Sequence, residues 1–334
     1  MKKKIIAGII ILFFMLALLA GSLFAWYDLS LNKKSGSHEL VKFSISEGEK
    51  TTQIGKRLKD QGIISDYLVF IAYIKLEHLT LKAGDYEFSK SNPMKDIVDK
   101  IAKGDVKTHR ITVKEGWSLE GIAKYLEEEK KLFKTGEFNK ALGYEYNYSF
   151  LRGKNGKENL EGFLFPDTYE LNAKSTAYDL IDMMLKNMES RLTSEVKEGF
   201  TKQGLSVKEG VILASVVELE GQKEEDRKLI AGILLERLKS GMRLEADATV
   251  RYVINDWNKK LTIDDLSIDS PYNTRLNEGL PPGAICNPGE VSLKAVANPT
   301  ESDYLYYLSE KNGTMHYAST SEEHNVNVGQ YLNY

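Results

Sequence analysis

Two carboxylates, Glu218 and Glu220, close an otherwise apolar run, ILASVVELE at residues 212–220. A carboxyl held among aliphatic side chains loses hydration. That loss disfavours its charged form and moves its pKa up toward the range in which a general acid works. In a helix over 206–220, Val211, Ala214 and Ser215 stand one and two turns before Glu218, while Leu213, Val216 and Val217 precede Glu220. Both faces are mostly apolar, so periodicity does not choose between the acids. Side-chain size offers a choice: Ala214 and Ser215 leave room for a ligand beside Glu218, which makes it the better-placed acid. The plainer reading, favoured by residue physics alone, has both acids solvated at a helix end or paired with Lys223, Arg227 or Lys228.

Other chemistries fit less well. His316 and His324 flank Glu322 and Glu323, but at a spacing that matches no compact ligand motif, so neither a metal nor a cofactor is expected. No GxSxG nucleophile motif occurs, and Gly-rich phosphate loops are missing. Cys286 is the single cysteine, which rules out an intrachain disulfide, and its loop, GAICNPG, gives only slight support to a catalytic thiol. A net charge of −3 over 334 residues gives no reason to expect nucleic acid as a partner.

The elements that must position the acids can be read from caps and turns. Ser206 and Glu209 form a capping box at the start of the acid-bearing helix. A long helix from Ala177 to near Phe200 is expected before it. After it comes EEDRKLIAGILLERLKSGM, acidic at its start, basic at its end and closed by Gly241. SPYNTRLNEGLPPGAICNPG is rich in turn formers and reads as an ordered loop of the kind that lines sites.

Further upstream lies an internal repeat. FSISEGEKTTQIGKRL from Phe43 and ITVKEGWSLEGIAKYL from Ile111 align without gaps, pairing Glu47-Gly48 with Glu115-Gly116. Each copy reads as strand, Gly turn and helix. The second copy resembles the opening half of a LysM module, a carbohydrate-binding unit. The alternative is scaffolding that sets a distance. Between the copies a strand ending at Phe88, a turn at Asn92-Pro93 and a short helix closed by Gly104 are expected.

At the N-terminus, MKKK precedes a stretch from Ile5 to Tyr27 with no charged residue. As a helix it is roughly 34 Å long, enough to cross a bilayer core. Three lysines before it, with Trp26 and Tyr27 at its far end, predict a cytoplasmic N-terminus and a translocated body. A cleaved signal peptide fits less well, because the apolar run is long and the small-residue cleavage pattern is poor. The expected organisation is an anchor at 1–27, a linker at 28–40, a LysM-like region at 41–155 and a second domain at 156–334, all of the α+β class.

EGFLFPDTYEL, ILASVVELEG, GMRLEADATVRY, SPYNTRLNEGLPPGAICNPG, NPTESDYLYYL and the closing MHYAST…EEHN together resemble, in order, the motifs of the YceG-like family of endolytic murein transglycosylases. The resemblance covers nearly the whole chain, anchor included. It implies a cell-membrane enzyme that cuts peptidoglycan glycan strands internally between N-acetylmuramic acid and N-acetylglucosamine and leaves 1,6-anhydro ends. Glu218 stands in the position of the family's catalytic glutamate. Glu161, Tyr169, Asp247, Thr249, Tyr252, Asn273, Asn287, His316, Thr320, His324 and Asn325 fall in the matching motifs as substrate-binding candidates, with Asp167 and Thr168 beside them. For Asp167, Asn273 and Asn287 a loop-fixing role is equally open. Peptidoglycan synthases are the implied protein partners. The rival readings are a hydrolytic muramidase, with Glu220, Asp247 or Glu161 as a second carboxylate, and a non-catalytic wall-binding protein. Leu219, Gly221, Glu236, Glu245 and Ala248 depart from the family pattern, which commonly has Lys, Thr, Asn, Gln and Pro there.

Overall fold

The computed structural model describes residues 2–33, 37–106, 108–151, 160–172, 174–310 and 312–332. The boundary expected between residues 155 and 156 lies outside them. Contacts divide the chain into two compact units: Met1–Arg110 with Glu170–Lys174, and Ile111–Tyr169 with Ser175–Tyr334.

The first unit contains α1 (Lys2–Asn32), β1 (Leu40–Ile45), α2 (Thr51–Asp60), α3 (Tyr67–Leu76), β2 (Gly84–Ser89) and α4 (Met94–Lys103). Helix α1 runs through the first residues of the expected linker. Its Gly8–Asn32 stretch, of mean hydropathy 2.6, is long and apolar enough to cross a membrane. Side chains such as Phe13, Leu18 and Phe24 are exposed along it, as expected of a membrane anchor or a signal sequence. β1 and β2 pair antiparallel with Phe43 opposite Tyr86. Alternation along these strands sends Phe43, Ile45, Tyr86 and Phe88 into a core shared with Phe70, Ile97 and Ile101. Asp66 caps α3 by accepting from the amides of Leu68 and Val69. The expected short helix is α4, closed by Gly104 in the left-handed conformation.

β3 (Thr108–Thr112) pairs with β4 (Thr168–Asn172), and the boundaries between the units fall inside these two strands. Between them lie α5 (Leu119–Lys124), which continues through a π turn at Tyr125–Glu129, and α6 (Glu137–Leu142). Both repeat copies thus extend past their aligned segments into the order strand, helix, helix, strand.

The rest of the second unit holds α7 (Ala177–Arg191), α8 (Ser194–Lys202), α9 (Val207–Glu220), α10 (Glu224–Lys239), α11 (Asp247–Ile254), α12 (Ile263–Leu266), α13 (Glu290–Ala297), the β5–β6 hairpin (Tyr306–Ser309, Met315–Ala318) and α14 (Ser321–Tyr331). The single helix expected over 177–200 is two helices. Thr193 turns away from helical geometry, and its hydroxyl caps α8 by accepting from the Val196 amide. Helix α13 packs against α8, α9 and α10. In α9 the capping box of Ser206 and Glu209 forms as expected, and every residue from Gly210 to Glu218 is buried. A helix buried on all sides is apolar on all sides, which is why periodicity could not select one face. Val211, Leu213, Val216 and Val217 are fully enclosed, each stabilising the fold by roughly 1.5–3 kcal/mol.

Candidate active site

Glu218 occupies the last turn of α9 with its side chain 4% exposed, yet both carboxylate oxygens are satisfied. Oε1 meets the Arg227 guanidinium of α10 at 2.6 Å. Oε2 accepts from the Gly289 amide at 2.9 Å and from the Ser292 hydroxyl at 2.8 Å. Two separate segments, α10 and the N-terminus of α13, therefore converge on one carboxyl, and together they supply three donors suited to an anion. The pairing with Arg227, the plainer alternative from the sequence, is realised here. It coexists with deep burial and two further donors, which a solvated helix-end acid would not need.

The room expected beside Ala214 and Ser215 is occupied by the chain itself. Both residues are fully buried. Ser215 Oγ accepts from the Ile285 amide at 3.0 Å, and the Cys286 thiol donates to the Ser215 carbonyl at 3.3 Å. Small side chains there admit the 284–286 backbone instead of a ligand. Burial pushes the Cys286 thiol well up from its ordinary value, which leaves it unreactive.

Glu115 is the neighbour that sequence reasoning did not single out. It lies in the Gly turn of the second repeat copy, where the Gly116 amide donates to the Asn287 carbonyl at 3.0 Å. A Cβ on Gly289 would overlap the Glu115 carboxyl, and one on Gly116 would lie 3.9 Å from Glu218 Cγ. Burial raises the Glu115 pKa, the charge of Glu218 adds to the rise, and Arg227 opposes it.

A second acid, Glu161, is 5% exposed. It accepts from the Leu119 amide at 3.0 Å, from Asn287 Nδ2 at 3.3 Å and from the Tyr252 hydroxyl at 3.4 Å. Burial pushes its pKa up to about 7 against the Leu119 and Tyr252 donors. Glu161 borders a pocket of about 330 Å³ that Ser118, Tyr252, Ser270 and Tyr272 also line. The Tyr252 and Tyr272 rings sit 5.1 Å apart. Asn287, fully buried, ties the site together: Oδ1 accepts from the Gly162 and Leu164 amides, and Nδ2 donates to the Trp117 carbonyl as well as to Glu161. Gly162 needs to be glycine, because its φ is +90° and a Cβ would overlap Ala284.

Glu220 belongs to a different environment. It accepts from the Ala248 amide at 3.2 Å and from the Tyr307 hydroxyl, and burial first, then the Asp247 charge, push its pKa up to about 7. Asp247 is half-exposed and pairs with Arg275 at 2.7 Å. Several other candidates hold the fold. Tyr169 donates to the Phe165 carbonyl, and Thr249 bonds Ala246 and Thr274 from full burial. Asn273 fixes its loop through the Leu266 and Ile268 carbonyls. At the C-terminus, His316 stacks on Tyr331 and bonds Glu310, Thr320 caps α14, His324 stacks on Tyr306 and Asn325 is exposed. Asp167 and Thr168 lie exposed at the start of β4.

The profile of the YceG-like family matches residues 43–330. The chain belongs to the YceG-like family. Two curated relatives, both named endolytic murein transglycosylase, agree with this. The one from Streptococcus pneumoniae is 31% identical over 96% of this chain and 64% of its own length. The one from Bacillus subtilis is 33% identical over 89% of this chain and 86% of its own. The chain thus spans just under two thirds of the streptococcal protein. A crystal structure of a YceG-like protein from Listeria monocytogenes superposes with a TM-score of 0.59 at 33% identity, covering 87% of this chain and 99% of that one.

The five positions expected to depart from the family pattern make the following contacts in this YceG-like chain. Ala248 donates an amide hydrogen to Glu220 that a proline could not supply. Gly221 lies against Arg227, where a Cβ would approach Cγ to 2.8 Å. Leu219 packs toward Gly116, and Glu245 pairs with Arg237 at 2.8 Å. Glu236 accepts from the Ser240 hydroxyl.

Proposed function

We propose that the chain is an endolytic peptidoglycan lytic transglycosylase, held at the outer face of the cell membrane by α1 with its N-terminus in the cytoplasm. The observation that carries this reading is the Glu218 carboxyl, buried in the core and held by donors from α10, from the Gly289 amide and from α13. The names of the streptococcal and bacillar relatives supply the substrate class.

One carboxyl suffices for the chemistry. Protonated Glu218 donates to the glycosidic oxygen as the C1–O bond breaks. Its carboxylate then takes the proton from the C6 hydroxyl of the same sugar, whose oxygen closes on C1 to form the 1,6-anhydro ring. The proton returns to Glu218, and no water is consumed. Because the nucleophile is part of the substrate, its effective concentration is high and no second carboxylate has to hold a water. Arg227 and the two neutral donors stabilise the carboxylate formed in the first step. For the acid to reach the glycosidic oxygen, the substrate must replace one of these partners.

Glu161 and the Tyr252–Tyr272 pair shape a pocket suited to a sugar ring, with aromatic faces for stacking and polar groups for hydroxyls. The LysM-like order of the repeat copies suits contact with the glycan or spacing from the membrane. Release of nascent strands beside peptidoglycan synthases follows from family analogy. The test is mass spectrometry of strands digested by the full-length protein in detergent. Anhydro-muramyl ends are expected. Reducing ends alone would replace this reading with a muramidase, and no cleavage would leave a wall-binding protein.

A further inference from the structure

The proposed reaction asks Glu218 to hold a proton in one step and to be an anion in the next. Arg227, 2.6 Å away, favours only the second. Something must offset that cation if the acid step is to proceed near neutral pH.

Glu115 is placed to do so. Its carboxyl lies against Gly289, the residue whose amide binds Glu218 Oε2. The adjoining Gly116 abuts the last turn of α9 at Leu219 and Glu218. Glu115 keeps part of its surface in solvent, whereas Glu218 is buried. Resting on the transglycosylase reading above, we propose that Glu115 is a positioning residue of the reaction: its negative charge balances Arg227 so that Glu218 retains the proton it must donate.

Among the described residues, the charged and titratable groups that act on Glu218 include Arg227 from α10, Glu115 from the turn after β3 and Cys286 from the 284–289 segment. Gly289 and Ser292 add only neutral donors. Charged groups this close to one another titrate as a coupled set, so the loss of one charge changes where a proton leaves the others. Burial raises the Glu115 pKa, and the Glu218 charge adds to the rise. The first repeat copy provides an internal control, because its matching acid, Glu47, is exposed in the other unit.

The experiment measures kcat/KM against pH for the full-length protein in detergent, with Glu115→Gln, Glu115→Asp, Glu47→Gln and Glu218→Gln compared with wild type and the fold checked by circular dichroism. Without the Glu115 charge, Glu218 gives up its proton more readily. The alkaline limb of Glu115→Gln is therefore expected to move down by about one pH unit, with restoration in Glu115→Asp and no change in Glu47→Gln. An unmoved limb in Glu115→Gln would overturn the proposal, whether or not the rate falls, because a purely structural role lowers the rate without moving the limb. If Glu218→Gln still cleaves, the transglycosylase assignment of Glu218 fails instead, and the two failures are distinguishable.

Discussion

Removing Arg227 should expose how much of the fold depends on charge balance at Glu218. The two side chains are 11% and 4% exposed and meet at 2.6 Å, so the pair is a buried one. Replacing Arg227 with Met keeps most of the stem volume but leaves Glu218 with only the Gly289 amide and the Ser292 hydroxyl. At a pH where Glu218 is ionised, breaking the buried pair from one side costs about 3–5 kcal/mol, mainly because the surviving charge is stranded. At roughly 2–4 °C per kcal/mol for a domain of 150–250 residues, the melting temperature should fall by about 10 °C. Adding Glu218→Gln removes the stranded charge, so the double variant should recover at least about 2 kcal/mol of the loss. A double-mutant cycle by thermal and urea unfolding of the full-length protein in detergent measures this coupling. Additivity within about 0.5 kcal/mol would refute the reasoning.

Three further outcomes follow from the same contacts. Asn287→Ala, which strips partners from the buried Gly162 and Leu164 amides, should cost about 3 kcal/mol in denaturant unfolding. Glu161→Gln should stabilise the protein relative to wild type as pH rises. The folded Glu161 pKa of about 7 lies above its ordinary 4.5, so the stability that the protonated acid contributes is full below 4.5 and is lost up to pH 7. The gain is on the order of 3 kcal/mol at neutral pH, and melting curves at pH 4.5 and 7.5 check it. Tyr272→Ala should raise KM for glycan strands several-fold with a smaller effect on kcat; an unchanged KM would remove that pocket from the substrate path.

What the sequence revealed and what it hid follow from range. Ser206 with Glu209 caps α9 three residues apart, and Gly104 ends α4 at the next position, so local chemistry sufficed for both. The break between α7 and α8 was also local, since Thr193 precedes the Val196 amide it caps, but apolar periodicity on both sides obscured it. Two partners of Glu218 lie much farther away: Gly289 and Ser292 come from 71 and 74 residues downstream, and no spacing rule links them. Glu115 was visible as the turn of a repeat, but nothing local says that this turn faces an acid about 100 residues later when its counterpart Glu47 does not. The small residues before Glu218 do leave a gap, but the Ile285 amide fills it, since a side-chain gap in a helix receives backbone as readily as ligand.

The central claim is that Glu218 alone moves the proton. Full-length Glu218→Gln, shown by its melting curve to be folded, should yield no anhydro-muramyl ends from glycan strands under conditions where the wild-type protein yields them. Cleavage by Glu218→Gln at the wild-type rate, with the same ends, would contradict it.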